Sequence, residues 1–209
     1  NNTAIGAYAG TNITTGTENT ILGREAARSI TNASNTTAIG WQALYSATGS
    51  NNTAVGSSAA QSMTSGASNT ALGVAALFSN TTASNNTAVG YQAGYSNTTG
   101  DVNVFMGRQA GYGNTTGAAN NAFGELALYT NSTGASNNAL GRQALYFNTT
   151  GNYNTALGHT ALYSNTTASY NTAVGYQAGY STTIGGQTFF GAQAGYANTT
   201  GAYNGFFGL

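Results

Sequence analysis

One glycine preceded by an apolar residue returns along the whole chain: Gly6, Gly23, Gly40, Gly56, Gly73, Gly90, Gly107, Gly124, Gly141, Gly158, Gly175, Gly191 and Gly208. Ten of the intervals are 17 residues and two are 16, so one register holds from end to end. A repeat this short leaves no room for a helical hairpin, and its apolar residues recur with period 2 rather than 3.6. The chain therefore reads as all-β, a parallel β-roll or β-solenoid of about twelve 17-residue coils, with residues 1–209 forming a single repeat array. Each coil of such a stack hides its apolar face only against its neighbours.

Columns taken relative to this glycine assign the positions. The residue before it is always apolar, from Ile5 and Leu22 to Phe190 and Phe207, and reads as core. Three residues after it an unbroken alanine column, from Ala9 to Ala194, predicts a place too thin for a larger side chain. Two positions further on stand mostly aromatics, Tyr45, Phe78, Tyr95, Tyr112, Tyr129, Tyr146, Tyr163, Tyr180 and Tyr196, which predict a ladder of stacked rings. Four residues before the glycine stand Asn52, Asn69, Asn86, Asn103, Asn120, Asn137, Asn154 and Asn171, with Thr36 and Gln187 as exceptions, and these predict a hydrogen-bonded amide ladder. Within one coil, residues 86–90 read as a first strand and 92–95 as a second, closed by a Ser-Asn-Thr-Thr-Gly turn. A further column mixes Leu44, Leu77, Leu128, Leu145 and Leu162 with Gly94, Gly111, Gly179 and Gly195. It suits a seam between subunits, or else fills the roll's own interior.

Charge bears on function. Only 4% of the residues are charged: Arg24, Arg28, Arg108 and Arg142 against Glu18, Glu25, Asp101 and Glu125. No basic patch for nucleic acid follows from that set. The carboxylates stand in different coils without acidic partners, the sole histidine, His159, occupies a variable position, and there is no cysteine. Catalytic residues, a metal site and cofactors are therefore not expected, and the chain reads as no enzyme. Calcium-binding coils need Asp in every repeat, and this chain has one Asp. No apolar run approaches the ~18 residues that span a bilayer, so this segment is not expected to be membrane-embedded. In the outer turn, seven Asn-x-Ser/Thr sequons lie in register at Asn80, Asn97, Asn114, Asn131, Asn148, Asn165 and Asn198. They either satisfy their own turns or accept glycans.

The Asn-Thr-Ala-Val-Gly-Tyr-Gln-Ala pattern at residues 86–93 and 171–178 resembles the YadA-like head repeats of trimeric autotransporter adhesins, with similar repeats in phage tail-fibre and bacterial surface-fibre proteins. The resemblance covers essentially the whole chain and implies a left-handed roll, three of which pack around a common axis. It departs from the family in its longer polar turn, as at Asn97-Thr98-Thr99-Gly100. The expected function is a structural or adhesive extracellular fibre, on a cell surface or virion, with weak binding repeated along it. Its expected partners are copies of itself, as homotrimer or head-to-tail filament, and host surface, matrix or glycans. The uncapped first and last coils, Asn1-Asn2-Thr3-Ala4 and Phe206-Phe207-Gly208-Leu209, suggest a segment of a longer fibre or a protomer that stacks. Two alternatives stand beside it: a structural polymer with glycan-decorated turns, and an ice-binding solenoid using threonine ranks such as Thr53, Thr70 and Thr87.

Overall fold

The computed structural model describes residues 1–208, so Leu209 of the last coil lies outside the described residues. Three-residue strands, from β1 (Thr3–Ile5) through β7 (Val104–Met106) to β13 (Gly205–Phe207), pair in sequence order into one 13-stranded parallel sheet. Each strand meets the equivalent residues of the next coil, as in Thr70↔Thr87, Ala71↔Ala88 and Leu72↔Val89. The chain is a β-solenoid of about twelve turns, as its period predicts. Thr-x-Val and Thr-x-Leu triplets favour the strand through β-branched residues at the outward positions.

The anchor glycine ends each strand, and here its freedom is required. Its φ lies between +129° and +141° from Gly6 to Gly191, for example +136° at Gly90 and +137° at Gly73, a region closed to residues with a Cβ.

After the glycine the chain departs from expectation. Residues 92–95 and their equivalents are not a second strand. Left-handed residues take every second position there, with φ 53° at Gln92 and 60° at Gly94. The Gln92 N–H donates to Val74 O in the coil below (2.9 Å), whereas the Gly94 N–H donates to Ala110 O in the coil above (2.9 Å). This alternation turns side chains in and out with period 2, as a pleat does, which is why the pattern imitates a strand. Each coil thus has one strand, not two.

The core is thin. Its sheet side is the middle residue of each strand, mostly alanine, with Ile21, Phe105 and Phe189 as large, buried exceptions and Phe206, half-buried, in the last strand. Facing it are the alanine column and the leucine–glycine column. Leu44, Leu77, Leu128, Leu145 and Leu162 are fully buried, so they fill the roll's own interior and form no seam between subunits. Glycine appears in that column where the strand opposite carries phenylalanine. Cβ atoms added to Gly94 or Gly179 would stand 2.7 Å and 2.6 Å from the rings of Phe105 and Phe189, and Gly111 and Gly195 flank the same rings from the other side.

The residue before the anchor glycine is not core. Strand geometry sends it outward with the threonine two residues earlier, leaving Ile5, Leu22, Leu72, Leu140 and Phe190 exposed, with Ile39, Val55, Val89 and Val174 half-buried. The expectation failed because an apolar column was equated with burial, whereas the strand's inner position belongs to alanine.

Candidate functional surface

Four longitudinal features line the stack. The first is the outer face of the sheet, where a rank of threonines runs parallel to the apolar ridge just described. Thr53, Thr172 and Thr188 are exposed, and Val104, Asn121, Asn138 and Gly205 interrupt the rank. The apolar ridge runs unbroken from β1 to β13, and neither it nor the rank carries a charge.

The second is the column just after the anchor glycine, the most variable of the repeat. It carries Trp41, Val74, Tyr91 and Tyr176 as exposed side chains, and its arginines Arg24, Arg108 and Arg142 pair with Glu125 in the column and Glu25 beside it. Glu125 lies between Arg108, Nε at 3.0 Å from Oε1, and Arg142, Nε at 3.3 Å from Oε2. The hydrogen bond from Arg108 holds the Glu125 carboxyl below the usual carboxylate range, with Arg142 adding to it. Glu25 is held low chiefly by the Gln42 amide, with help from Arg24 and Arg28. His159 is half-buried, stacks on Tyr176 at 5.7 Å between centroids, and faces the Arg142 guanidinium at 3.3 Å.

The third feature is internal. Asn52, Asn69, Asn86, Asn103, Asn120, Asn137, Asn154 and Asn171 are all buried. Each Oδ1 accepts the backbone N–H of the equivalent residue one coil on, as from Asn103 to Asn86 (2.8 Å) and from Asn120 to Asn103 (2.9 Å), and Gln187 continues the series on Asn171 (2.9 Å). The Nδ2 groups satisfy turn carbonyls, as Asn103 does for Gly117 (2.9 Å).

The sequon asparagines form a second internal ladder, which corrects their placement on the outer turn. Asn80, Asn97, Asn114, Asn131, Asn148 and Asn165 are buried, and Asn198 is half-buried. The Nδ2 of Asn131 donates both to Asn114 Oδ1 (2.7 Å) and to Gly134 O (2.9 Å), and that of Asn148 to Asn131 Oδ1 (2.7 Å) and Gly151 O (3.0 Å). A nitrogen that spends both protons inside the coil offers no accessible acceptor for a glycan. The signal was present in the sequence: the same column carries Ile13, Ile30, Ala47 and Met63 in the early coils, residues that belong indoors.

This ladder has a direct test. Replacing Asn131 by Ala removes its bonds to Gly134 O, Asn114 Oδ1 and Asn148 Nδ2 and leaves Asn114 Oδ1 with only a long 3.5 Å contact from Asn120, so a loss of roughly 1–3 kcal/mol in stability is expected. Asn80 stands one coil before the amide-to-amide bonds, which run from Asn97 to Asn165, and its Oδ1 has no partner, so Asn80→Met should cost less than about 1 kcal/mol. Equal losses in urea unfolding would contradict a cooperative ladder.

The fourth feature is aromatic. Phe78, Tyr95, Tyr112, Tyr129, Tyr146, Tyr163, Tyr180 and Tyr196 stack coil on coil, with centroids 4.9–5.3 Å apart. Gln61 separates Tyr45 from this run. Burial, with the neighbouring phenols adding to it, pushes the Tyr112 and Tyr163 hydroxyls above the ordinary tyrosine range. A shorter series escaped the sequence reading. Tyr153 and Tyr170 stack at 5.1 Å on the turn before the strand, and Tyr203 occupies the same column. Its signal was the contrast with Asn35, Asn51 and Asn85 in the earlier coils.

Among the described residues no group of three or more His, Cys, Asp or Glu converges in a way that could hold a metal ion. Among the same residues no helix is long and apolar enough to cross a membrane. No family model, curated protein or solved structure matches this chain.

Proposed function

We propose that this chain is the rigid, non-catalytic shaft of an extracellular fibre on a cell or virion surface, in which copies bury their apolar ridges against one another and present repeated surface columns for adhesion. The observation that carries the reading is the ridge. Thirteen strands spaced about 4.8 Å apart make a face roughly 60 Å long, and two outward side chains per strand give it a width near 10 Å. That amounts to on the order of 600 Å² of flat surface with an apolar edge, large for a free monomer and approaching what one partner buries in a stable complex. The face carries no charge to repel a second copy of itself. The resemblance to YadA-like heads supports three copies around one axis, with the sheet face, rather than the leucine column, turned inward.

Light scattering with electron microscopy tests this. The expected particle is a discrete oligomer about 60 Å long per copy. Leu72→Thr, Met106→Thr and Phe123→Thr together keep strand-forming residues while removing apolar surface, and should convert it to monomer at micromolar concentration with an unchanged circular dichroism spectrum. A wild-type monomer would defeat the proposal.

The threonine rank on the same flat face favours a second reading, an ice-binding solenoid. It requires that face to remain free in solution, and inhibition of ice recrystallisation by a monomeric species is its test. For a glycan-decorated polymer, the buried sequon amides leave the exposed turn hydroxyls, such as Thr99, Thr116, Thr133 and Thr150, as the available acceptors.

A further inference from the structure

The column five residues before the anchor glycine has a left-handed backbone throughout, with φ running from 54° at Asn35 to 62° at Asn51 and Tyr170 among its non-glycine members. Asn and Gly tolerate that geometry because they crowd the backbone least or bond to it locally, and the earlier coils place mostly small or polar residues there, among them Asn35, Asn51, Ser68 and Asn85, with Val102 as the one large apolar member. The last coils place Tyr153 (φ 56°), Tyr170 (φ 62°) and Tyr203 (φ 60°) instead. These side chains contribute nothing to the core, being 56%, 67% and 89% exposed. A bulky residue kept in a strained conformation, with its apolar surface in water, serves something other than folding.

The three rings share one column, two of them in contact and the third two coils further on. Tyr153 and Tyr170 stack with planes 12° apart. The coil between Tyr170 and Tyr203 carries Gly186, and a Cβ there would lie 2.8 Å from the Tyr203 ring, so the glycine lets Tyr203 lean toward Tyr170. The column's surroundings identify its ligand. Residues 143–209 contain no Asp, Glu, Lys or Arg, and the polar groups beside the rings are amides and hydroxyls such as Asn152, Ser169 and the exposed Thr150 and Thr167. An aromatic column bordered by neutral hydrogen-bonding groups suits a ligand with apolar C–H faces and hydroxyl edges. The step from Tyr153 to Tyr170 is one coil, about 4.8 Å, and that from Tyr170 to Tyr203 is two, so the rings match successive and alternate sugar units of an extended glycan.

We infer that Tyr153, Tyr170 and Tyr203 form a docking platform for an extended, uncharged polysaccharide. This deepens the adhesive part of the proposed function and rests on it. Repetition over several coils adds weak contacts into useful affinity, whereas a protein partner would call for a desolvated pocket around its anchor residues rather than an exposed edge.

Co-sedimentation of the full chain with insoluble cellulose and with chitin is the test. Wild-type protein should pellet with at least one of them. The Tyr153→Asn, Tyr170→Asn, Tyr203→Asn triple variant should bind at least tenfold more weakly while melting no lower, because asparagine relieves the backbone strain. Tyr91→Ser, an exposed tyrosine in another column, should bind as wild type does. If the triple variant pellets like wild type, the platform is wrong and adhesion lies elsewhere on the fibre. If the wild type pellets with neither matrix, or is retained only by immobilised protein, the polysaccharide inference is overturned, while the oligomeric mass from light scattering still judges the fibre reading on its own.

Discussion

Gly107→Ala should divide the stack in two. The φ of +136° at Gly107 costs an alanine roughly 1–3 kcal/mol, and its Cβ would stand 2.6 Å from the Gly124 carbonyl oxygen and 2.7 Å from its carbon. That neighbour is backbone, pinned by the Gly124 N–H bond to Met106 O (2.8 Å), so relief requires separating two coils. With overpacking added at roughly 1–3 kcal/mol, the total is roughly 2–6 kcal/mol, its upper half comparable to the whole stability of a marginal domain. In a stack whose stability is a sum of nearest-neighbour terms, that loss falls on the interface between β7 and the following strand, Asn121–Phe123. Hydrogen exchange should show protection lost there first, and thermal melting should resolve two transitions where wild type has one. Thr116→Ala, an exposed change one turn further on, should move the melting by less than about 0.5 kcal/mol. A single transition at the wild-type temperature for Gly107→Ala would show that the coil can reroute its backbone at that corner.

The demand for glycine at this corner is what made the register legible in the sequence, since no other residue meets it. The tyrosine ladder was legible for a related reason: identical rings one coil apart have little choice but to stack. Elsewhere the pattern was ambiguous. An apolar residue beside a glycine looks like core, yet Leu72 and Leu140 are exposed because alanine holds the strand's inner position. The segment around Gln92 alternates as a strand does, yet its alternation comes from left-handed residues that periodicity cannot distinguish from a pleat. The sequon at Asn131 has the composition of a surface turn, and only its column mates Ile30 and Met63 betray an interior. Tyr153 and Tyr170 were hidden because their importance lies in a backbone angle, which no sequence pattern displays.

The interior itself carries a second large effect, and it is conditional. Phe105→Ala alone should cost about 3–5 kcal/mol, because the ring is wholly buried and the rigid coils above and below cannot collapse onto the space it leaves. Gly94→Leu with Gly111→Leu in the wild-type background should also be severely destabilising, since both new side chains enter the volume of the Phe105 ring. Combined, the three substitutions reproduce the arrangement at Leu128 and Leu145, where the strand residues Ala122, Ala139 and Ala156 face leucine, and the left-handed backbone already accepts leucine at φ 51° and 52°. The triple variant should therefore lie within about 1–2 kcal/mol of wild type, with a coupling energy at or above the roughly 3 kcal/mol upper range for contacting residues. Chemical unfolding of the four proteins closes the cycle. Additive losses would mean that Phe105 and its flanking glycines are independent accidents of the repeat. Strong coupling would show that each coil conserves the volume of its core while exchanging which wall supplies it, so that a stack one side chain thick can vary its sequence without losing its fit.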